Sequence, residues 1–313
     1  MSEYVGHVIF AQEGVRLAQR DARMSRAFLA AAEAAPRAVW LGSACGGGRH
    51  GIRPLMAHLR DRLPLAGDDI ARAAFTFGWV THQACDGYLK QVYRGIIPEY
   101  HADPDHLKTP PSDARITHDV LMLRERADGG RLAPFAPSIF DYRMEGHPAA
   151  SALDVPAAED AAALQVQRQI LNLFAPASRR HGSSLQDRLW AYFRLLDPDY
   201  ISLTRYADAA TDADPEHLRR FVHDIRFYDA DDALIRIAGG EADPVVPADM
   251  DAAMAEAEQR GSIYARVLAL TVQLLRLAGD VLEGSADLDA LNPILETQPG
   301  SDGVPEVVLN ASL

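Results

Sequence analysis

Residues 70–93 read IARAAFTFGWVTHQACDGYLKQVY. The stretch carries no proline, and Gly78 and Gly87 are its few weak points for a helix. Phe75, Phe77, Trp79, Val80 and Leu89 make it densely apolar, and the spacing predicts one long helix. Asp68 and Asp69 precede it as N-cap residues, and Pro64 separates it from what comes before.

The pattern extends in both directions. Upstream, residues 52–63 have helical spacing, with Pro54 tolerated in the first turn. Gly46, Gly47 and Gly48 form a cluster, and the short apolar run 38–42 before it reads as a strand or a short helix. From Tyr4 to about Glu33, Val8, Ala11, Val15, Ala18, Phe28 and Leu29 recur at three- and four-residue steps, predicting one helix that Pro36 ends. Downstream, residues 98–113 read as a loop and 114–126 as a helix. Residues 129–156, rich in Gly, Pro and Ala, mark a boundary between halves. Further helices are expected over 157–174, 185–196, 216–227 and 248–282, the last with a break near Gly261. Alternating runs of β-branched residues are scarce. The fold class is therefore read as all-α: a helical domain at 1–148, a helical C-terminal region at 149–296 and an extended tail at 297–313.

The 313 residues include 31 Lys plus Arg and 44 Asp plus Glu, a formal charge of −13 that disfavours nucleic-acid binding. Two cysteines, Cys45 and Cys85, build no disulfide framework and match no zinc-pair spacing. The start Met1-Ser2-Glu3-Tyr4 lacks a signal peptide's basic and apolar regions, and charges interrupt every long apolar run. No transmembrane segment and a cytoplasmic location are expected.

Residues four apart share a helix face, about 5–6 Å apart at Cβ. His82 and Asp86 have that spacing, so an imidazole nitrogen and a carboxylate oxygen can reach one divalent ion, and zinc accepts both at about 2.0–2.2 Å. Taken alone, such a pair is more often a plain hydrogen bond. Seven of the eleven histidines lie in the first 119 residues, which concentrates candidate ligands there. His7 and His118 read equally as ligands or as packed side chains, whereas His58, His101 and His106 read as solvated. The glycine run ahead of Arg49 and His50 can cradle an anion but is better read as a connector, since it lacks the phosphate-loop lysine pattern. Among the later residues, His223-Asp224 is an isolated dipeptide, Trp190, Tyr192 and Phe193 read as core, and the leucine-rich run 268–277 reads as a core helix or a homodimer helix.

The order Gly6-His7, then Leu41-Gly42-Ser43-Ala44, then Phe77-Gly78 leading to His82 and Asp86 resembles the zinc-dependent phospholipase C family over roughly residues 5–125. The resemblance implies an all-helical bundle, zinc held by His, Asp and Glu side chains, and hydrolysis of phosphoester bonds. It implies His7, His82 and Asp86 as metal ligands, with His118 as a looser candidate and His50 or His58 as the histidine that follows the Leu-Gly turn. One departure is plain: where the family has a Pro-Asp after the Leu-Gly turn, this chain has Cys45-Gly46-Gly47 and no carboxylate. Asp119 or Glu13 is the expected general base or orienting carboxylate. A metal-dependent hydrolase of a small-molecule or lipid phosphoester is the leading expectation. A non-catalytic helical binding protein, and a non-hydrolytic iron enzyme using His7, His82 and Asp86, are the alternatives.

Overall fold

Every residue from Ala73 to Gly87 is buried, as expected of a helix that is apolar around its whole circumference and so sits at the centre of a core. In the computed structural model, which describes residues 4–44, 49–96, 113–126, 209, 213–240, 247–292 and 294, this is helix α5 (Asp68–Ile96). Before it come α1 (Tyr4–Arg20), α2 (Arg26–Ala34), α3 (Pro36–Ala44) and α4 (Arg49–Arg60). After it come α6 (Asp113–Arg126), the short α7 (Pro215–Leu218) running into a π-helical turn (Arg219–His223), α8 (Ala233–Gly239), α9 (Pro247–Arg260) and α10 (Ile263–Glu283). No strand occurs among the described residues, so the all-α expectation holds for them.

Two glycines set how the central helices meet. A Cβ on Gly42 of α3 would collide with the Phe75 carbonyl and lie 2.8 Å from the Trp79 nitrogen. A Cβ on Gly78 of α5 would collide with the Val39 carbonyl and lie 2.9 Å from the Ser43 nitrogen. The two backbones therefore touch at a crossing where each helix presents its glycine. Around this pair, α5 also packs on α1, α2, α4 and α10.

The expected single helix from Tyr4 to Glu33 is two. Buried Asp21 takes the chain out of the helix: its carboxylate accepts from Arg23 N at 3.0 Å and from Arg276 Nε at 2.5 Å. Ser25 then caps α2 by accepting from Phe28 N at 3.1 Å. The apolar period runs across the break and conceals it. Run 38–42 is helical, and Pro36 opens α3 as a residue with a helical φ built in. The helix expected over 216–227 ends early: the π turn closes at His223, and Arg226 takes φ 48° to return Phe227 to the core. The break at Gly261 is present, with Ser262 capping α10 by accepting from Ala265 N at 3.3 Å. α10 is spent on the core, with Val267, Leu268, Leu274 and Leu275 all buried. The domain boundary expected at 148/149, the helices over 157–174 and 185–196, and the tail 297–313 lie outside the described residues. The described helices on both sides of that boundary contribute to one core. No described helix is long and apolar enough to cross a membrane.

Gly78→Ala is expected to cost about 3 kcal/mol or more, because a backbone carbonyl has nowhere to retreat. Gly95→Ala, on the same helix but facing open space, is expected to be neutral or to stabilise by up to about 1 kcal/mol. Urea unfolding of the two variants side by side tests the contrast.

Candidate metal centre

His7 comes from α1, and His82 and Asp86 come from consecutive turns of α5. Helical spacing puts the last two on one face, and the packing of α1 on α5 adds the first. All three are buried, at 3%, 3% and 5% exposure. One ligand atom from each lies within 4.8 Å of the others, so the trio can hold a metal ion.

The distances suit that use. His7 Nε2 is 3.4 Å from Asp86 Oδ1, and His82 Nε2 is 3.2 Å from Asp86 Oδ2. A tetrahedral ion with bonds near 2.0–2.1 Å spaces its ligands about 3.4 Å apart. The two imidazoles stack, with centroids 4.2 Å apart and planes inclined by 20°.

His82 is held by a third element. Its Nδ1 donates to the Ser43 carbonyl at 2.7 Å. Ser43 lies in the last turn of α3, where carbonyls have no partner within the helix, so His82 closes that helix end. With the proton on Nδ1 given to that carbonyl, Nε2 is the His82 atom turned to the trio, 3.2 Å from Asp86 Oδ2. This is the usual way a ligating histidine is oriented.

The rest of the trio is incompletely satisfied. Both ring nitrogens of His7 and Oδ1 of Asp86 are buried and have no hydrogen-bond partner. Burial and the neighbouring His82 ring push the His7 pKa down to about 4. Burial raises the Asp86 pKa, but His82 and Lys90 outweigh it and hold the carboxyl well below its usual range. Neutral imidazole beside ionised carboxylate is the protonation state that binds a divalent ion. Lys90, one turn after Asp86, reaches Oδ2 at 2.9 Å.

The structure places the other expected residues elsewhere. His118 is fully buried but outside the trio. Its Nε2 donates to the Phe221 carbonyl at 2.6 Å, its Nδ1 meets the Tyr93 hydroxyl at 3.2 Å, and its ring stacks on Phe227 at 3.6 Å. With both nitrogens engaged it is a packed core histidine. Glu13 is also buried, and its two oxygens accept from Arg16 at 2.8 Å and Arg126 at 2.9 Å, which ties α1 to α6. Asp119 is buried on α6 and is not part of the trio. His50 lies in the first turn of α4, and its side chain is outside the described residues. His58, expected to be solvated, bonds Asp69 at 3.0 Å and pins α4 to the start of α5.

Sequence reasoning missed Lys90 and the role of Ser43. Lys90 was legible as an i,i+4 partner of Asp86. Ser43 contributes a backbone carbonyl, so its residue type gave no signal. No protein-family model, no curated protein and no solved structure matches the chain.

His118 gives a pH prediction. Burial lowers its pKa to about 4 in the folded state, against 6.5 ordinarily. Between those values the unfolded chain binds the extra proton, so stability falls as pH drops from 6.5 to 4 and is flat above. The loss attributable to His118 is about 3 kcal/mol. Denaturant midpoints of wild type and His118→Gln from pH 7.5 to 4 check it. The variant is expected to be less stable at pH 7.5 and to show a shallower acid decline.

Proposed function

We propose that this chain is a metal-dependent phosphoester hydrolase, similar to the zinc-dependent phospholipase C family, with one zinc ion held by His7, His82 and Asp86. One observation carries the reading. Three buried side chains converge with one ligand atom of each within 4.8 Å of the others, His7 and Asp86 are incompletely hydrogen-bonded, and the His82 ring is oriented by the Ser43 carbonyl. Buried polar groups left unpaired cost about 1–3 kcal/mol each, and a bound cation removes that cost.

Further support comes from where the sequence signals meet. Gly6-His7, the Leu41–Ala44 turn and the Phe77–Asp86 stretch are distant along the chain. They supply, respectively, a ligand, the carbonyl that orients a ligand, and the remaining two ligands. The glycines in the last two segments form the helix crossing that permits this.

A divalent ion at this position supplies a Lewis acid for a phosphoryl oxygen and water acidified towards neutrality. The chain's own residues bind and orient. His7 and His82 donate neutral nitrogens, Asp86 donates charge, and Ser43 fixes the His82 ring. Two histidines and one carboxylate also suit iron(II), which is the second reading and is separated from the first by metal identity.

Elemental analysis of gently purified protein is expected to find one zinc per chain, lost in His82→Ala. Zinc added to stripped protein at a hundred times its Kd is expected to stabilise the fold by about 2.7 kcal/mol. Hydrolysis of p-nitrophenyl phosphate is expected to vanish with chelator and return with zinc. Metal-free protein that gains no stability from any divalent ion would sink the reading, and iron in place of zinc would favour the second.

A further inference from the structure

Asp86 serves two cations at once. Its Oδ2 accepts from Lys90 Nζ at 2.9 Å and faces His82 Nε2 at 3.2 Å, while Oδ1 is left to the metal side with His7. Lys90 is the most exposed of the four side chains, at 18% against 8% for Asp86, 4% for His7 and 3% for His82. Lys90 is therefore the side chain of the cluster nearest to solvent.

Loading a divalent ion changes the balance there. The ion and the ammonium then compete for one carboxylate. The filled centre (two neutral imidazoles, one carboxylate, one ammonium and the ion) carries two net positive charges in a nearly dry site. Such charge is costly unless an anion compensates it. A phosphomonoester carries about two negative charges at neutral pH, because its second pKa is near 6, whereas a phosphodiester carries one.

Resting on the metal reading above, we propose that Lys90 is the anion-binding residue of this centre. On metal loading its ammonium passes from Asp86 to a phosphoryl oxygen, and the charge match selects a dianionic phosphomonoester over a diester. No bond is made or broken in this exchange; one ion pair replaces another.

Cobalt(II) serves as the probe, read by its visible absorption, titrated into stripped protein alone, with inorganic phosphate, and with dimethyl phosphate. In wild type, phosphate is expected to tighten cobalt about tenfold and shift the spectrum, and dimethyl phosphate to do neither. Lys90→Gln is expected to bind cobalt several-fold more tightly without anion, since a competing cation is gone, and to lose the phosphate effect. Lys90→Arg, a second variant that preserves the charge, is expected to retain it. Circular dichroism establishes that each variant is folded.

Wild type that binds no cobalt overturns the metal reading and this one with it. Wild type that binds cobalt without any response to phosphate, or Lys90→Gln with the full phosphate response, overturns the role of Lys90 and leaves the metal centre standing. Folded Lys90→Gln that binds cobalt more weakly makes Lys90 a support for Asp86 and also overturns the proposal. An equal response to dimethyl phosphate overturns the preference for a monoester.

Discussion

The contact on which the rest of the structure depends is the crossing of α3 and α5 at Gly42 and Gly78. Helix axes normally stand 8–10 Å apart because side chains fill the gap. Here each helix omits a Cβ where the other presents a backbone carbonyl. The consequence lies one turn further on. The Ser43 carbonyl, at the open end of α3, lands on the Nδ1 of His82. A larger separation would leave a buried carbonyl without a donor and a histidine free to rotate or change tautomer. Packing geometry, helix termination and ligand orientation are thus one requirement met by two missing methyl groups.

Among the buried carboxylates of the polar interior, several are closed by arginine or histidine partners and one belongs to the trio. Asp21 is closed by Arg276 and Arg23, Glu13 by Arg126 and Arg16, and Asp69 by His58 and Arg72. His118 has a partner at each nitrogen and an aromatic ring against its face. These networks join helices far apart in sequence and account for buried charge as structural ties. The trio of His7, His82 and Asp86 is different. His82 has its carbonyl, but His7 has only the long 3.4 Å approach of Nε2 to Asp86 and no partner at Nδ1. Two buried histidines with similarly lowered pKa values thus play opposite parts. What separates them is whether the ring nitrogens are spoken for.

Much of this was legible in the sequence. The central helix, the i,i+4 pair and the break before Ser262 follow from periodicity and breakers, which are local. His7 was open as ligand or packing residue, and only the docking of α1 on α5 brings it to His82 and Asp86. The split at Asp21 was hidden because the apolar spacing continues across it. A buried aspartate bonded to Arg276, 255 residues away, has no local signature. His118 read equally as ligand or packed side chain, but its environment is set by the Phe221 carbonyl, presented by a π turn that no residue pattern announces. Glu13, expected as a general base or orienting carboxylate, shares α1 with His7. Six residues along a helix carry it onto another face, where Arg126 waits.

The overall charge bears on what can reach such a centre. The chain carries a formal charge of −13, which would seem to repel any phosphate. Screening at physiological ionic strength limits each surface charge to about 8 Å. A small dianion would feel the acidic surface only while close to it, and at the proposed centre it would meet the Lys90 ammonium and a divalent ion beside the Asp86 carboxylate. A polyanion cannot make that exchange, because it must lie along many acidic side chains to bring one phosphate to the site. On the proposed reading, the acidic surface and a metal-loaded centre would act together as a size filter. They would admit a single phosphoryl group on a small or neutral carrier and turn away nucleic acid, although both offer the same chemical group.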